Sequence, residues 1–189
     1  MSPLSSDERR ALLDLARRAI VEAVCHGRLA NLPPYTSALA QPRPAFVTLH
    51  HNGRLRGCMG QVEPDASLME TVARCAICAA LEDPRFRPLE PEETGDLEIE
   101  ISVLSPLVPI QPQEIEIGVH GILIAWEGRR GLLLPQVAIE HRFTRERFLE
   151  AACEKAGLER DAWKNPDARI LSFTAEVFSQ VTLAPAEPV

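Results

Sequence analysis

Lysine is nearly missing from this chain: Lys155 and Lys164 are the two among its 189 residues. Acidic residues outnumber basic ones 27 to 20, for a net charge of −7. A surface of that sign without clustered lysines excludes a broad footprint for nucleic acid or an anionic membrane. A local cleft lined by arginine would still take an isolated anion. No apolar run approaches the ~20 residues that span a bilayer. Met1-Ser2-Pro3-Leu4-Ser5 lacks the charged and apolar regions of a signal peptide, so a cytoplasmic location is expected. The five cysteines are odd in number and sit in helical or strand patterns, which excludes a small-loop disulfide framework and predicts free thiols. Cys25-His26 has no second pair at zinc-finger spacing, and Cys75-x-x-Cys78 lies mid-helix without a second such pair. Neither a metal nor a cofactor is therefore expected.

The length suits one domain over residues 1–189, or a domain with a small lobe, burying about 70% of its unfolded surface. Ser5-x-x-Glu8 is a capping box ahead of Leu12, Leu15, Ala19 and Ala23, with Gly27 as the stop. Ser67-x-x-Glu70 opens a second helix that ends at Asp83-Pro84, and Thr144 caps a third that Gly157 closes. Leu32 to Pro44 holds four prolines, which forbids helix and central strand alike and predicts an ordered arm or a lid. Leu97 to Val103 alternates cleanly, with Glu98, Glu100 and Ser102 on the face away from the core. Glu114–Ile117 and Ile122–Trp126 read as strand, and Leu134-Pro135-Gln136 ends the strand that follows. Arg169–Val181 reads as one final half-buried strand, and 184–189 as a frayed tail. Hairpins and clustered helices without regular βαβ alternation predict an α+β fold with a mainly antiparallel sheet and flanking helices.

The chemistry concentrates on Arg54-Leu55-Arg56-Gly57-Cys58-Met59-Gly60, after an Asn52-Gly53 turn. Asn-Gly accepts the positive φ of a type I′ hairpin, so Ala45–His51 and Arg54–Met59 are read as paired strands. Alternation then puts Arg54, Arg56 and Cys58 on one face, with Val47 opposite Cys58 and Leu49 opposite Arg56. A guanidinium beside a thiol favours thiolate, while Gly57 and Gly60 allow a ligand to approach. A half-buried packing cysteine fits the same residues. His120 between Gly118 and Gly121 has the chemistry of a base for a cysteine, or of a histidine satisfying a turn. Glu98 or Glu100 would orient that base. Arg85 beside Asp83 is suited to a carboxylate or phosphate, and Gln136 to an oxyanion or a loop contact.

Leu55-Arg56-Gly57-Cys58-Met59-Gly60 resembles the hallmark hexapeptide of the AMMECR domain family. Asp83-Pro84-Arg85-Phe86, Glu100 to Pro106, Gly118-Val119-His120-Gly121, Leu132 to Val137 and Lys155-Ala156-Gly157-Leu158 are similar to further stretches of that family, covering about residues 45–160. The resemblance implies a larger and a smaller lobe with a cleft between them, and no reaction. Members like this one are called protein A of the AmmeMemoRadiSam system, alongside a Memo-like protein and a radical SAM protein, which are thereby the expected partners. Two functions follow as expectations. One is an enzyme using Cys58 and His120, with Glu100, on a small anionic substrate held by Arg56, Gly57, Gly60, Arg85 and Gln136. The other is a non-catalytic module binding a nucleotide, a modified peptide or a Memo-like partner. A third reading joins Cys58 to Cys75 and Cys78 as a redox or metal group.

Overall fold

The computed structural model describes residues 3–180; Val181 and the tail 184–189 lie outside the described residues. The chain forms two compact units, a larger one of residues up to Val103 together with Glu176 onward, and a smaller one of Leu104–Ala175. Each has its own core and its own antiparallel sheet, as an α+β fold requires.

In the larger unit, helix α1 (Ser6–His26) starts at Ser5, whose side chain accepts from the Glu8 N–H while Glu8 answers with the reciprocal bond. Gly27 at φ 63° closes it in the left-handed region. A four-residue helix α2 (Ser37–Ala40) follows. It corrects the expectation of a helix-free arm, because the residues between Pro34 and Pro42 leave room for one turn and bury Leu39. Strands β1 (Ala45–His51) and β2 (Arg54–Gln61) form the hairpin, with Asn52 at φ 51° and Gly53 at φ 70° as a type I′ turn demands. Helix α3 (Leu68–Leu81) begins at the Ser67/Glu70 capping box. Strand β3 (Leu97–Leu104) then pairs antiparallel with β1.

The smaller unit holds β4 (Val108–Pro109), β5 (Gly121–Trp126), β6 (Arg129–Leu133), helix α4 (Pro135–Glu140), helix α5 (Arg145–Lys155) and β7 (Arg169–Phe173). Its sheet runs β4-β7-β5-β6, and α5 covers it with Phe148, Leu149, Ala152 and Cys153 buried. Strand β8 (Ala175–Ser179) belongs to the larger unit, whose sheet order is β2-β1-β3-β8.

Four sequence expectations change here. Arg169–Val181 is not one strand. It breaks at Thr174 and its halves join different sheets, which inverts the alternation and buries Phe178 while Val177 stays 41% exposed. Glu114–Ile117 is not strand, because Pro112 opens a 3-10 turn there. Pro135 does not merely end a strand; it is the first residue of α4, where its missing N–H costs nothing. The hairpin register is also shifted. Leu49 faces Gly57 while His50 faces Leu55, so Arg56 is the extra residue of a β-bulge. From Gly57 onward every side chain takes the face opposite to the one simple alternation assigns. Thr48, not Val47, lies opposite Cys58.

One face of this sheet packs on α1 and α3 through Ala45, Val47, Leu49, Ile99, Ile101 and Val103, all buried. The other face presents Phe46, Thr48 and His50 from β1, Cys58 and Gly60 from β2, and Glu98, Glu100 and Ser102 from β3. The bulge therefore moves Cys58 out of the packed layer and onto the polar one.

Candidate functional site: an edge cysteine held by its backbone

β2 is an edge strand, so half of its backbone N–H and C=O groups turn away from β1 and need other partners. Cys58 is one such residue. Its N–H donates to Asp83 Oδ2 at 2.8 Å, and its carbonyl accepts from Arg85 Nη2 at 3.4 Å. Asp83 in turn accepts from the Arg85 backbone N–H at 3.1 Å, from Arg85 Nε at 3.0 Å and from Nη2 at 2.7 Å. Its carboxylate is 2% exposed, and the Arg85 guanidinium holds its pKa well below the usual carboxylate range despite the burial. The Asp83-Pro84-Arg85 turn thus acts as a substitute strand, fixing the cysteine by its main chain and leaving the side chain to the sheet face.

Because its main-chain groups point away from β1, Cys58 forms a non-hydrogen-bonded pair with Thr48, the closer kind of cross-strand pair. The Thr48 hydroxyl donates to Cys58 Sγ at 3.3 Å. The same register places Glu100 opposite Thr48, so Cys58, Thr48 and Glu100 form one row across three strands. The thiol is half-buried. The cation that acts on it is Arg85, whose pKa is raised first by its bonds to Asp83, with a smaller contribution from the Cys58 sulfur. Arg85 is 55% exposed, and its Nη1 has no partner among the described residues.

Arg56 takes another direction. Its Nε and Nη2 grip Glu93 at 2.8 and 3.0 Å, and Nη1 and Nη2 donate to the Arg87 and Pro88 carbonyls. The pair is 12% and 14% exposed, and Glu93 is drawn down to about 2 by the guanidinium. The bulge aims Arg56 at the 87–93 loop, so it clamps that loop instead of accompanying the thiol.

Gly57 and Gly60 leave room for the protein's own atoms. A Cβ at Gly57 would stand 2.1 Å from the Ala79 carbonyl oxygen of α3, and one at Gly60 2.1 Å from the Phe46 ring. In the smaller unit, His120 sits in a turn before β5, where its N–H donates to the Glu116 carbonyl at 2.9 Å and its Nδ1 accepts from the Glu116 N–H at 3.1 Å. With Nδ1 accepting, the neutral ring carries its proton on Nε2, so it presents a donor where a base needs a lone pair. Gln136 is the second residue of α4, half-buried, with no side-chain partner among the described residues.

Cys75 lies on the packed side of α3, its thiol donating to the Ala45 carbonyl at 3.7 Å, and burial pushes its pKa up to about 11. Burial likewise raises Cys78 and Cys153. These thiols are poor nucleophiles, and Cys75 is separated by the sheet from the face that bears Cys58. Among the described residues no group of three or more His, Cys, Asp or Glu is placed to hold a metal ion, and no helix is long and apolar enough to cross a membrane.

An α+β pair of units in which an acidic turn clamps a cysteine-bearing edge hairpin is the class of protein these observations define. The profile of the AMMECR1 family matches residues 13–178, and the chain belongs to that family. It is 41% identical over 187 residues to a protein of Methanothermobacter thermautotrophicus, spanning 95% of this chain and 97% of the relative. It is 43% identical over 187 residues to protein MK0488 of Methanopyrus kandleri, spanning 94% and 90%. Among solved structures, the uncharacterized protein PH0010 of Pyrococcus horikoshii superposes with a TM-score of 0.85 at 38% identity, covering 89% of each chain.

Proposed function

We propose that this chain is a cytoplasmic cysteine-dependent enzyme in which Cys58 is the nucleophile and Arg85 holds an anionic group of a small substrate. The observation that supports it is the division of labour at Cys58. Its backbone N–H and C=O are fixed by Asp83 and Arg85, while its thiol stays half-exposed beside a donating hydroxyl. A main chain held on both sides pre-organises the sulfur, and the Thr48 hydroxyl bonded to it helps to fix its direction. Arg85 Nη1, unpartnered and solvent-facing, offers two N–H donors to a carboxylate or phosphate. The likeness of residues 55–60 to the hexapeptide of protein A of the AmmeMemoRadiSam system supports placing the reaction in a pathway with Memo-like and radical SAM proteins.

The test is alkylation of the native protein by iodoacetamide across a pH series, with each cysteine followed by mass spectrometry. Cys25 is the internal reference, being an exposed thiol at the end of α1. Cys58 is expected to react about tenfold faster than Cys25 near pH 7, and Arg85→Gln to slow Cys58 alone. Equal rates at Cys58 and Cys25 would remove the nucleophile.

The second reading is a non-catalytic module for a nucleotide, a modified peptide or a Memo-like partner. It draws on Leu55, 41% exposed on the same edge strand, because an apolar side chain close to an exposed arginine suits a docking contact as well as a substrate. Slow alkylation of Cys58 together with protection on addition of the partner protein would favour this reading.

A further inference from the structure

His120 presents an Nε2–H donor in place of a free lone pair, and a different histidine stands on the sheet face that bears Cys58. We infer that His50 is the proton acceptor for Cys58, and that the cavity beside it receives the part of the substrate lying away from the thiol. This inference rests on the cysteine-enzyme reading above and names the base that reading needs.

The geometry comes from register. Thr48 and His50 are two apart on β1 and share a face; Thr48 is directly opposite Cys58. His50 is therefore the diagonal neighbour of Cys58, and such pairs stand about 7 Å apart at their Cβ atoms, within reach of an imidazole and a thiol. The bulge at Arg56 creates this relation. Without it Cys58 would face Val47 on the packed side, away from His50. Unlike His120, His50 makes no side-chain hydrogen bond to a described residue, so either ring nitrogen is open to accept a proton.

The surroundings suit that role. Glu98 is paired with His50 across β1 and β3 and is exposed, and Glu100 is the next residue toward Cys58 on the same face. A carboxylate opposite an imidazole stabilises the imidazolium that forms when the ring takes the proton. A cavity of about 390 Å³ opens here, lined by His50, Gly53, Glu98, Glu100, Ser179 and Gln180. Its volume is that of a small-molecule site. The charged and titratable groups on the face of His50 are Cys58 of β2 and Glu98 and Glu100 of β3; Leu55 stands directly opposite His50, Arg54 pairs with His51 on the other face, and Arg56 is turned away to Glu93. Carboxylates dominate this end of the face and Arg85 the other, so the preferred substrate carries its anionic group toward Arg85 and hydrogen-bond donors toward Glu98.

The step balances simply. The Cys58 S–H bond breaks, the proton moves to an imidazole nitrogen of His50, and the electron pair stays on sulfur. With iodoacetamide as the probe, that pair forms the S–C bond and iodide leaves.

The experiment compares the pH profile of Cys58 alkylation in the native chain, His50→Gln, His120→Gln and Glu98→Gln, with Cys25 as reference and circular dichroism confirming the fold. His50→Gln is expected to slow Cys58 about tenfold near pH 7 and to move the midpoint of the profile upward, toward that of Cys25. Glu98→Gln should shift the midpoint in the same direction by less, and His120→Gln should leave it in place. The inference is overturned if Cys58 stays fast in His50→Gln, or if His120→Gln slows it equally. That failure is distinct from failure of the enzyme reading, in which Cys58 of the native chain already matches Cys25. If His50→Gln does not fold, raising a lone alternative, His50→Asn with the same profile decides the matter by the same criteria.

Discussion

Gly57→Ala is expected to cost about 3 kcal/mol and to lower the melting temperature by about 10 °C. The added Cβ would stand 2.1 Å from the Ala79 carbonyl oxygen and 3.0 Å from its carbon. Those atoms are helix backbone and cannot rotate aside as a side chain could. α3 is fixed at its start by the Ser67/Glu70 capping box and along its length by the buried Val72, Cys75, Ala76 and Ala79. Relief requires strand and helix to part, opening the layer that holds Val47, Leu49 and Ile99. Gly95→Ala is the matched control: nothing lies within 4 Å of its Cβ position and its φ is not positive, so it should leave the melting curve unchanged. Equal curves for the two variants would mean that the hairpin and α3 do not pack as closely as described. The smaller unit uses the same device at Gly131, where a Cβ would meet the Ala152 carbonyl of α5 at 2.2 Å. In both units a strand glycine lets a helix lie directly on the sheet.

Much of this architecture was legible because its signals are local. Ser5, Ser67 and Thr144 announce their helices through the side-chain oxygen that a first turn needs, and Asn52-Gly53 announces its hairpin through two positive φ angles. The alternation holds from Leu97 to Ile101, since β3 lies between two neighbours with one face packed, and it lapses at Ser102, which is buried instead of open. What escaped the sequence is set by partners distant along the chain. The bulge at Arg56 has no signature of its own; it exists because Gly57 must meet α3 while Arg56 reaches Glu93, 37 residues away. That one extra residue decides which face bears Cys58.

The candidate site followed the same division. Residue type points to Cys58, Arg85 and Glu100, and the larger unit gathers all three around β1 and β2. Alternation points to Arg56, which belongs to a loop clamp, and glycine flanks point to His120, which satisfies its own turn. Nothing in the sequence singles out Thr48, His50 or Asp83 as site residues. The first two have the pattern of ordinary strand residues, and only the register sets them beside Cys58. Asp83 read as a loop partner for Arg85, and nothing in the sequence says that it also closes an open strand edge 25 residues earlier.

Asp83→Asn is the second variant with a large expected effect, about 3 kcal/mol near pH 7. The carboxylate accepts four hydrogen bonds, three from Arg85 and one from Cys58. An amide has one acceptor oxygen, and its NH2 would be turned against N–H donors. Because Arg85 is 55% exposed it can recover water, so the loss stays near the lower end of the range for broken buried pairs. Acidity provides the sharper diagnosis. Asp83 has its folded pKa depressed, and Glu93 has its own lowered to about 2 by Arg56. In the unfolded chain both groups take a proton near pH 4, so on acidification the unfolded state binds protons first. The stability these pairs contribute is therefore complete above about pH 5 and is lost as the pH falls through about 2 and below. Urea midpoints of the native chain should hold steady from neutrality to about pH 5 and then drop, and Asp83→Asn should start lower and drop less steeply. An unchanged acid slope in the variant would mean that Asp83 does not hold Cys58 in its charged form. The edge of β2 would then be fixed by the Arg56–Glu93 clamp, and Cys58 alkylation would survive the substitution unchanged.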